Sequence, residues 1–134
     1  MKTIKQLLLV DDSDATNNFH YRLLGKLKMA DTIITCKNGK EALDFLDKSK
    51  ECPDLIFLDL NMPVVDGFEF LEQSPISLKK ICTKNPTIVV LTSSEEDVDK
   101  ERCKKLCKNI NFYSKPLTIS QITEIWELYN KNIN

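Results

Sequence analysis

Residues 53–63 read Pro53-Asp54-Leu55-Ile56-Phe57-Leu58-Asp59-Leu60-Asn61-Met62-Pro63. The four apolar residues at the centre are too few for a helix, and they predict a strand that is buried on both faces. Strands of this kind belong to parallel sheets that are covered by helices on either side. Ligands collect where the strands of an open α/β sheet end, so the sequence predicts that Asp59 is a site residue.

The length and charge of the chain limit the functions that remain open. At 134 residues it is expected to form one domain, residues 1–134, whose core needs no metal or disulfide. The 19 basic and 20 acidic side chains leave a formal charge of -1, which predicts no nucleic-acid partner and no anionic membrane partner. The apolar run at residues 7–10 is too short for a signal or membrane-spanning segment, so we expect a cytoplasmic protein.

The cysteines are expected to be reduced. They number five, are scattered, and stand at Cys36, Cys52, Cys82, Cys103 and Cys107. The closest two are spaced like neighbours on one helix face rather than like a CxxC motif. We therefore expect core residues rather than disulfide partners or metal ligands.

The rest of the chain alternates apolar strands with amphipathic helices. Further strands are predicted at residues 7–10, 32–36, 87–91 and 110–114. The apolar stripe of the first predicted helix contains Phe19, Leu23, Leu24 and Leu27, and that of the last contains Ile119, Ile122, Trp126 and Tyr129. Because each crossover is long enough to be right-handed, we expect a doubly wound α/β sandwich of five parallel strands. Ser74-Pro75 predicts a break or kink in the third helix.

Polar side chains stand at four predicted strand ends. Asp11 and Asp12 follow the first strand, Asp59 the third, Thr92 the fourth and Lys115 the fifth. Parallel strands end at the same edge of a sheet, so these groups are expected to lie together. Three neighbouring carboxylates repel one another unless a cation is present, which implies a bound hard metal, most simply Mg²⁺.

This set of groups suits phosphoryl transfer to Asp59. A carboxylate can act as the nucleophile and form an aspartyl phosphate, while a metal neutralises charge on the transferring group. Lys115 and Thr92 suit the remaining phosphoryl oxygens. Each residue alone also fits a plainer role, since acids and threonines cap helices and turns and a loop lysine is usually solvated. The occurrence of all these residues at strand ends favours a phosphoryl-transfer site over the separate plainer roles.

The same residues resemble a known family. Asp11-Asp12, the run from Asp59-Leu60-Asn61-Met62-Pro63 to Asp66-Gly67, Thr92 and Lys115-Pro116 are together similar to a receiver domain of the two-component response regulators, of the stand-alone chemotaxis type. The similarity runs from about Lys5 to Tyr129. It implies a flavodoxin-like (βα)5 fold with strand order 2-1-3-4-5, and a receiver without an effector domain.

The resemblance also implies residue roles. Asp59 would be phosphorylated by a histidine kinase or a histidine phosphotransfer protein, and Mg²⁺ would be held by Asp11, Asp12, Asp59 and the backbone carbonyl of Asn61. Thr92 and Lys115 would bind the phosphoryl group.

The resemblance further implies a switch. Thr92 and Phe112 occupy the switch positions, and the surface of the fourth helix, fifth strand and fifth helix would change to bind a downstream target. Phe112 lacks the hydroxyl of the commoner tyrosine, and Tyr113 is one place off. Ser94 and Asn61 occupy the two positions that vary with the rate of hydrolysis in the family.

Several alternatives accompany this prediction. The chain is either an output protein that docks on a target or a phosphorelay shuttle to a histidine phosphotransfer protein. We expect the chain to catalyse only its own phosphorylation and dephosphorylation. An enzyme of the haloacid-dehalogenase type would need its nucleophile after the first strand, whereas Asp59 follows the third. The intact site residues argue against a degenerate receiver. His20 is expected to be a surface or boundary residue rather than a phosphohistidine. The extended segment Glu72–Asn85 is predicted to be a tolerated insertion rather than a partner contact.

Overall fold

The structure is a computed structural model that describes residues 4–92 and 97–132. Within these ranges five strands alternate with five helices. The strands are β1 (Ile4–Val10), β2 (Ala30–Cys36), β3 (Leu55–Leu58), β4 (Thr87–Thr92) and β5 (Ile110–Ser114). The helices are α1 (Asp14–Lys26), α2 (Gly39–Lys48), α3 (Gly67–Ile81), α4 (Asp97–Leu106) and α5 (Ile119–Asn132).

The strands form one parallel sheet in the order β2-β1-β3-β4-β5, which confirms the predicted fold class and strand order. The register sets Val10 beside Leu58, and Leu58 beside Val90. The Asp59 N–H donates to the Val10 carbonyl at 2.9 Å and continues this alignment past the end of β3. The residues after β1 and β3 therefore leave the sheet at the same level.

Helices cover both faces of the sheet. One apolar cluster joins Ile56 and Leu58 to side chains of α2, α3 and α4, and the other joins Leu55 and Phe57 to side chains of α1 and α5. All four β3 side chains are buried, as the apolar run predicts. Each contributes about 1.5–3 kcal/mol of hydrophobic stabilisation, so β3 is a fixed support for the residue after it.

Side-chain caps set where three of the helices begin. Ser13, Asn38 and Asp66 precede α1, α2 and α3, and each side chain accepts a hydrogen bond from the N–H three residues later. Caps of this kind each stabilise a helix by about 1 kcal/mol. The chain therefore turns into a helix at a defined residue soon after β1, β2 and β3.

Of the break or kink predicted at Ser74-Pro75, the break is wrong, because α3 continues through Pro75 to Ile81. Proline has no N–H for the carbonyl four residues earlier, so the helix loses one hydrogen bond there. Leu71 and Leu78 are buried on either side of the proline and hold both turns against the core. Tertiary packing therefore outweighs the local preference, and the role of the Glu72–Asn85 extension stays a prediction.

The expectation of five reduced cysteines is also wrong. Cys52 and Cys82 form a disulfide, with Cα atoms 5.0 Å apart and a sequence separation of 30. Cys52 precedes β3 and Cys82 follows α3, and the fold brings these two ends together. Their spacing in the sequence carries no trace of that proximity. Cys36 and Cys103 are buried free thiols, as predicted.

The apolar faces of α1 and α5 differ from the predicted stripes. Phe19 is half exposed, whereas His20 beside it is buried, so the prediction of a surface or boundary histidine is wrong. In α5, Ile119 is exposed and Ile125 is buried. The buried face of α1 contains Asn17, His20 and Leu24. Asn17 Nδ2 and His20 Nε2 form hydrogen bonds with backbone groups, whereas Asn17 Oδ1 has no partner among the described residues.

Candidate functional site

Three carboxylates meet where β1 and β3 end. One oxygen from each of Asp11, Asp12 and Asp59 lies within 4.8 Å of the others. Asp11 and Asp59 are buried and Asp12 is exposed. The Ser13 N–H donates to Asp11 Oδ1 at 2.9 Å, which fixes that carboxylate at the start of α1. The structure thus brings together the three acids that the sequence places at strand ends.

Lys115 joins this cluster from the end of β5. Its Nζ lies 2.9 Å from Asp11 Oδ2 and 3.4 Å from Asp59 Oδ2. The lysine side chain is 21% exposed and those of the two acids are 7% and 5% exposed, so this ion pair is partly shielded from water. Shielded charges interact more strongly than surface charges, so Lys115 holds both acids firmly.

The electrostatic balance at the site opposes the ionised form of Asp59. Burial, followed by the charge of Asp11, raises the pKa of Asp59 to about 6, although Lys115 and the Asn61 N–H lower it in part. Burial by itself lowers the pKa of Lys115, but its hydrogen bond to Asp11 and the charges of both acids raise that pKa overall. One lysine therefore compensates incompletely for the carboxylates around it.

The donor set fits a hard divalent cation. Asp11, Asp12 and Asp59 offer carboxylate oxygens, which are the ligands that Mg²⁺ prefers, and the exposed Asp12 leaves one side of the cluster open to water. The raised pKa of Asp59 indicates a deficit of positive charge that a cation would supply. The Asn61 N–H faces Asp59 Oδ1 at 3.4 Å, and the role of the Asn61 carbonyl stays a prediction.

The loop between β3 and α3 is held close to Asp59 at a glycine. The Gly67 N–H donates to the Leu60 carbonyl at 2.9 Å. A Cβ atom on Gly67 would lie 2.6 Å from the Asp59 carbonyl oxygen and 2.7 Å from Leu60 Cα, so only glycine allows this approach. Asp66 caps α3 by accepting from the Glu69 N–H. The Asp-Gly pair therefore anchors the helix beside the acidic cluster.

The predicted switch residues lie on the neighbouring strands β4 and β5. Thr92 is the last residue of β4, is buried, and stands beside Ser114 of β5 in register. Phe112 packs partly buried against the cluster under α2, α3 and α4. The roles of both residues stay predictions, and Ser94 lies outside the described residues.

Tyr113 faces the opposite side of β5 from Phe112 and packs towards α5. Its hydroxyl donates to Glu124 Oε1 at 3.0 Å, and burial together with Glu124 raises its pKa to about 12. Tyr113 is therefore tied to α5, and Phe112 is the aromatic residue of β5 on the α4 side.

Two polar residues of α1 belong to the surroundings of the site and were not predicted. Asn17 Nδ2 donates to the carbonyls of Asp11 and Cys36, at 2.9 and 3.3 Å. His20 Nε2 accepts from the N–H of Leu117, at 3.2 Å. The spacing of Asn17, His20 and Leu24 is that of one helix face, which was the available signal in the sequence.

Beside Lys115 the surface is open. A groove of about 350 Å³ is lined by Ala15, Thr16, Phe19, Lys115 and Pro116. It lies between α1 and the segment after β5, next to the acidic cluster. Among the helices within residues 4–92 and 97–132, none is both long and apolar enough to cross a membrane.

Comparisons with known proteins agree with this geometry. A family model described as the response regulator receiver domain matches residues 7–127. The probable methanogenesis regulatory protein FilR2 of Methanothrix harundinacea is 31% identical, across 94% of this chain and 86% of that protein. Hybrid signal transduction histidine kinase D of Dictyostelium discoideum is 34% identical, across 96% of this chain and 9% of that protein.

A solved structure is similar in both fold and sequence. The bacteriophytochrome response regulator AtBRR superposes with a TM-score of 0.71 at 30% identity, and the match covers 92% of this chain and 90% of that one. The chain thus spans nearly all of some relatives and a small part of others. The relatives share the domain rather than one overall protein.

Proposed function

Because the chain belongs to the response regulator receiver domain family, we propose that it is a signalling protein whose Asp59 accepts a phosphoryl group from a histidine kinase. The observation that carries the proposal is the contact of the Lys115 ammonium with both Asp11 and Asp59, inside a cluster of three carboxylates. A nucleophile, an acidic cation site and a phosphoryl-binding cation then share one edge of the sheet.

In the proposed reaction an Asp59 carboxylate oxygen attacks the phosphorus of a phosphohistidine on the partner. A P–O bond forms as the P–N bond breaks, and the departing imidazole keeps the electron pair and takes up a proton. Asp11, Asp12, Asp59 and the Asn61 carbonyl would hold Mg²⁺, which when bound neutralises charge on the transferring oxygens. Lys115 and the Thr92 hydroxyl would donate to the remaining phosphoryl oxygens.

Phosphorylation is proposed to change the surface formed by α4, β5 and α5. Thr92 and Phe112 lie on adjacent strands, with Phe112 beside Val90 in the register of β4 and β5. Movement of the Thr92 hydroxyl towards the phosphoryl group would change the surroundings of the Phe112 ring, which packs towards α4. The downstream partner would be a protein that binds this surface, and no further catalysis beyond dephosphorylation is proposed.

A phosphorelay shuttle is the second candidate function. It is favoured by the similarity to a hybrid histidine kinase, in which the matching region is a small part of a larger signalling protein. The open groove beside Lys115 leaves room for an approaching partner. A shuttle would return its phosphoryl group to a histidine phosphotransfer protein, whereas an output protein would hold the phosphoryl group and bind its target.

The test is phosphorylation by a small donor such as acetyl phosphate with Mg²⁺, followed by intact mass and peptide mapping. The native chain is expected to gain one phosphoryl group on Asp59, and Asp59→Asn should gain none. Asp31→Asn, an exposed acid at the start of β2, is the matched control and should react like the native chain. Phosphate on His20, or equal uptake when the metal is chelated, would contradict the proposal.

A further inference from the structure

His20 is a buried polar residue of α1 whose partner lies just beyond Lys115. His20 is 1% exposed, and its Nε2 accepts a hydrogen bond from the Leu117 N–H at 3.2 Å. The two residues are 97 positions apart in the sequence. The bond therefore joins the first helix to the segment that connects β5 with α5.

The Leu117 N–H needs this acceptor. Leu117 is 2% exposed, so water is not available to its backbone. Pro116 has no N–H, which makes Leu117 the first residue after Lys115 whose backbone can donate. A buried N–H without a partner is strongly destabilising, so the segment is held where the imidazole can accept its hydrogen bond.

The other end of the segment is fixed by α5. The Thr118 N–H donates to Gln121 Oε1 and the Gln121 N–H donates to Thr118 Oγ1, both at 3.1 Å. This reciprocal pair is a capping box, which anchors the start of the helix. Lys115 thus enters the site from a backbone that is held by β5 on one side and by His20 and α5 on the other.

The position of the Lys115 ammonium depends on that backbone. A lysine side chain has a flexible four-carbon stem, so it does not fix its own charged end. Here Nζ lies 2.9 Å from Asp11 and 3.4 Å from Asp59, within reach of both acids at once. A shift of the backbone at Pro116 and Leu117 would move the ammonium away from one of them.

We infer that His20 is a positioning residue for phosphoryl transfer to Asp59, because its imidazole fixes the backbone at Leu117 and so holds the Lys115 ammonium between Asp11 and Asp59. This inference rests on the proposed function, in which Lys115 binds the phosphoryl group. The ring acts as a neutral acceptor, with its proton on Nδ1. Burial lowers the pKa of His20, which favours this neutral form.

The test compares two replacements of His20. His20→Phe keeps the volume of the ring but removes the acceptor, and His20→Gln places an amide oxygen near the position of Nε2. Phosphorylation rates are measured with acetyl phosphate at saturating Mg²⁺. We expect His20→Phe to slow the reaction at least about tenfold, since displacement of a positioned group by 1 Å can cost about 100-fold. We expect His20→Gln to recover most of that loss, and Tyr21→Ser, an exposed change on the same helix, to have no effect.

A second measurement separates positioning from a general structural role. The same replacements are made in a Lys115→Met background, where there is no ammonium left to position. His20→Phe is expected to cause no further loss of rate in this background. Cooperative urea unfolding of each variant checks that the protein is folded, and if His20→Phe does not fold, His20→Asn takes its place because its shorter side chain falls short of the Leu117 N–H.

Three results would overturn the inference. They are a native rate for His20→Phe, an equal loss in His20→Gln, and the same fold-loss with and without Lys115. If the native chain takes up no phosphoryl group on Asp59, the proposed function fails and the inference falls with it. If the native chain reacts and only the His20 comparisons fail, the proposed function stands alone.

Discussion

Asp59 has a carboxyl group whose ionisation is opposed by its own fold. Burial and the charge of Asp11 outweigh the help of Lys115, and the pKa of Asp59 rises to about 6. A carboxyl group with a raised pKa stabilises the folded protein when protonated, and this contribution is lost as the pH rises through the folded-state pKa. At neutral pH the metal-free protein therefore carries a destabilising charge at Asp59.

Replacement of Asp59 by asparagine is expected to stabilise the metal-free protein at pH 7.5 by about 3 kcal/mol, from the rise in the pKa of Asp59 to about 6, which already includes the contact with Lys115. The difference should shrink as the pH falls below 6 and disappear at about pH 3, where the carboxyl is protonated in both the folded and the unfolded protein. Urea unfolding at both pH values, with the metal chelated, measures it. A gain that is equal at both pH values would mean that ionisation of Asp59 is not its cause.

Asp12 offers a separate test of the cation site, since it is the exposed member of the cluster. Asp12→Asn is expected to weaken Mg²⁺ binding about tenfold, which corresponds to roughly 1.4 kcal/mol, because one of three anionic ligands is lost. Calorimetric titration with Mg²⁺ gives the dissociation constant. Asp14→Asn, an exposed acid in the first turn of α1, is the control and should bind Mg²⁺ like the native chain. Unchanged affinity in Asp12→Asn would remove Asp12 from the site.

At the scale of the helix and strand, most of the architecture follows from local pattern. The apolar run of β3 and the acids after β1 and β3 were sufficient to predict a parallel sheet with a polar edge. The strand order came from the resemblance rather than from these patterns. The α1 face differs from the prediction because two of its buried side chains are polar: Asn17 Nδ2 donates to the Asp11 carbonyl and His20 Nε2 accepts from the Leu117 N–H. Asn17, His20 and Leu24 have the spacing of one helix face, but a search for apolar residues alone passes over the two polar ones.

Helix α3 shows the same limit in another form. Pro75 predicts a break from local rules, but packed residues on either side keep the helix continuous. The disulfide was missed because Cys52 and Cys82 are joined by tertiary structure alone. The acidic residues and Lys115, in contrast, were placed together from the sequence because parallel strands end at one edge. The positions of residues at strand ends can thus be predicted from the sequence, whereas contacts that arise from the packing of distant elements cannot.

The start of α3 gives a prediction for an element as a whole. Gly67→Ala is expected to destabilise the protein by about 1–3 kcal/mol, because the new methyl group meets the backbone of Asp59 and Leu60. Phosphorylation of Asp59 should slow at the same time, since the loop must move away. Gly25→Ala is the matched control, because a Cβ atom there meets nothing within 4 Å inside α1.

The control should raise stability by about 0.5–1 kcal/mol, the usual gain from alanine in a helix. Thermal unfolding and acetyl phosphate kinetics are measured on both variants. If Gly67→Ala matches the native chain in stability and rate, the close approach of α3 to Asp59 does not matter.

For the whole molecule, a disulfide joins the segment before β3 to the residue after α3. The disulfide between Cys52 and Cys82 closes a loop across a sequence separation of 30, and this loop contains β3, Asp59 and α3. A loop of this length is expected to restrict the unfolded chain enough to stabilise the fold by about 3–4 kcal/mol. The free energy of unfolding of the receiver should therefore depend on whether Cys52 and Cys82 are oxidised or reduced.

The Cys52→Ser, Cys82→Ser double variant should therefore unfold at a lower urea concentration than the oxidised native chain, because its free energy of unfolding is lower by about 3–4 kcal/mol. Reduction of the native chain should produce a similar loss, and the double variant should not respond to reductant. Unfolding of the native chain that is unaffected by reductant would contradict the prediction. The buried free thiols Cys36 and Cys103 remain in both proteins, so their effects cancel.

The enclosed loop also determines what happens when the chain is cut. Val64 lies on the exposed connection between β3 and α3, with a left-handed φ of 71°, in the segment between the two linked cysteines. A protease that cleaves there leaves two polypeptides still fastened to each other by the sulfur bridge. On a non-reducing gel the nicked protein would migrate as one species, and it would separate into two fragments only after the disulfide is reduced.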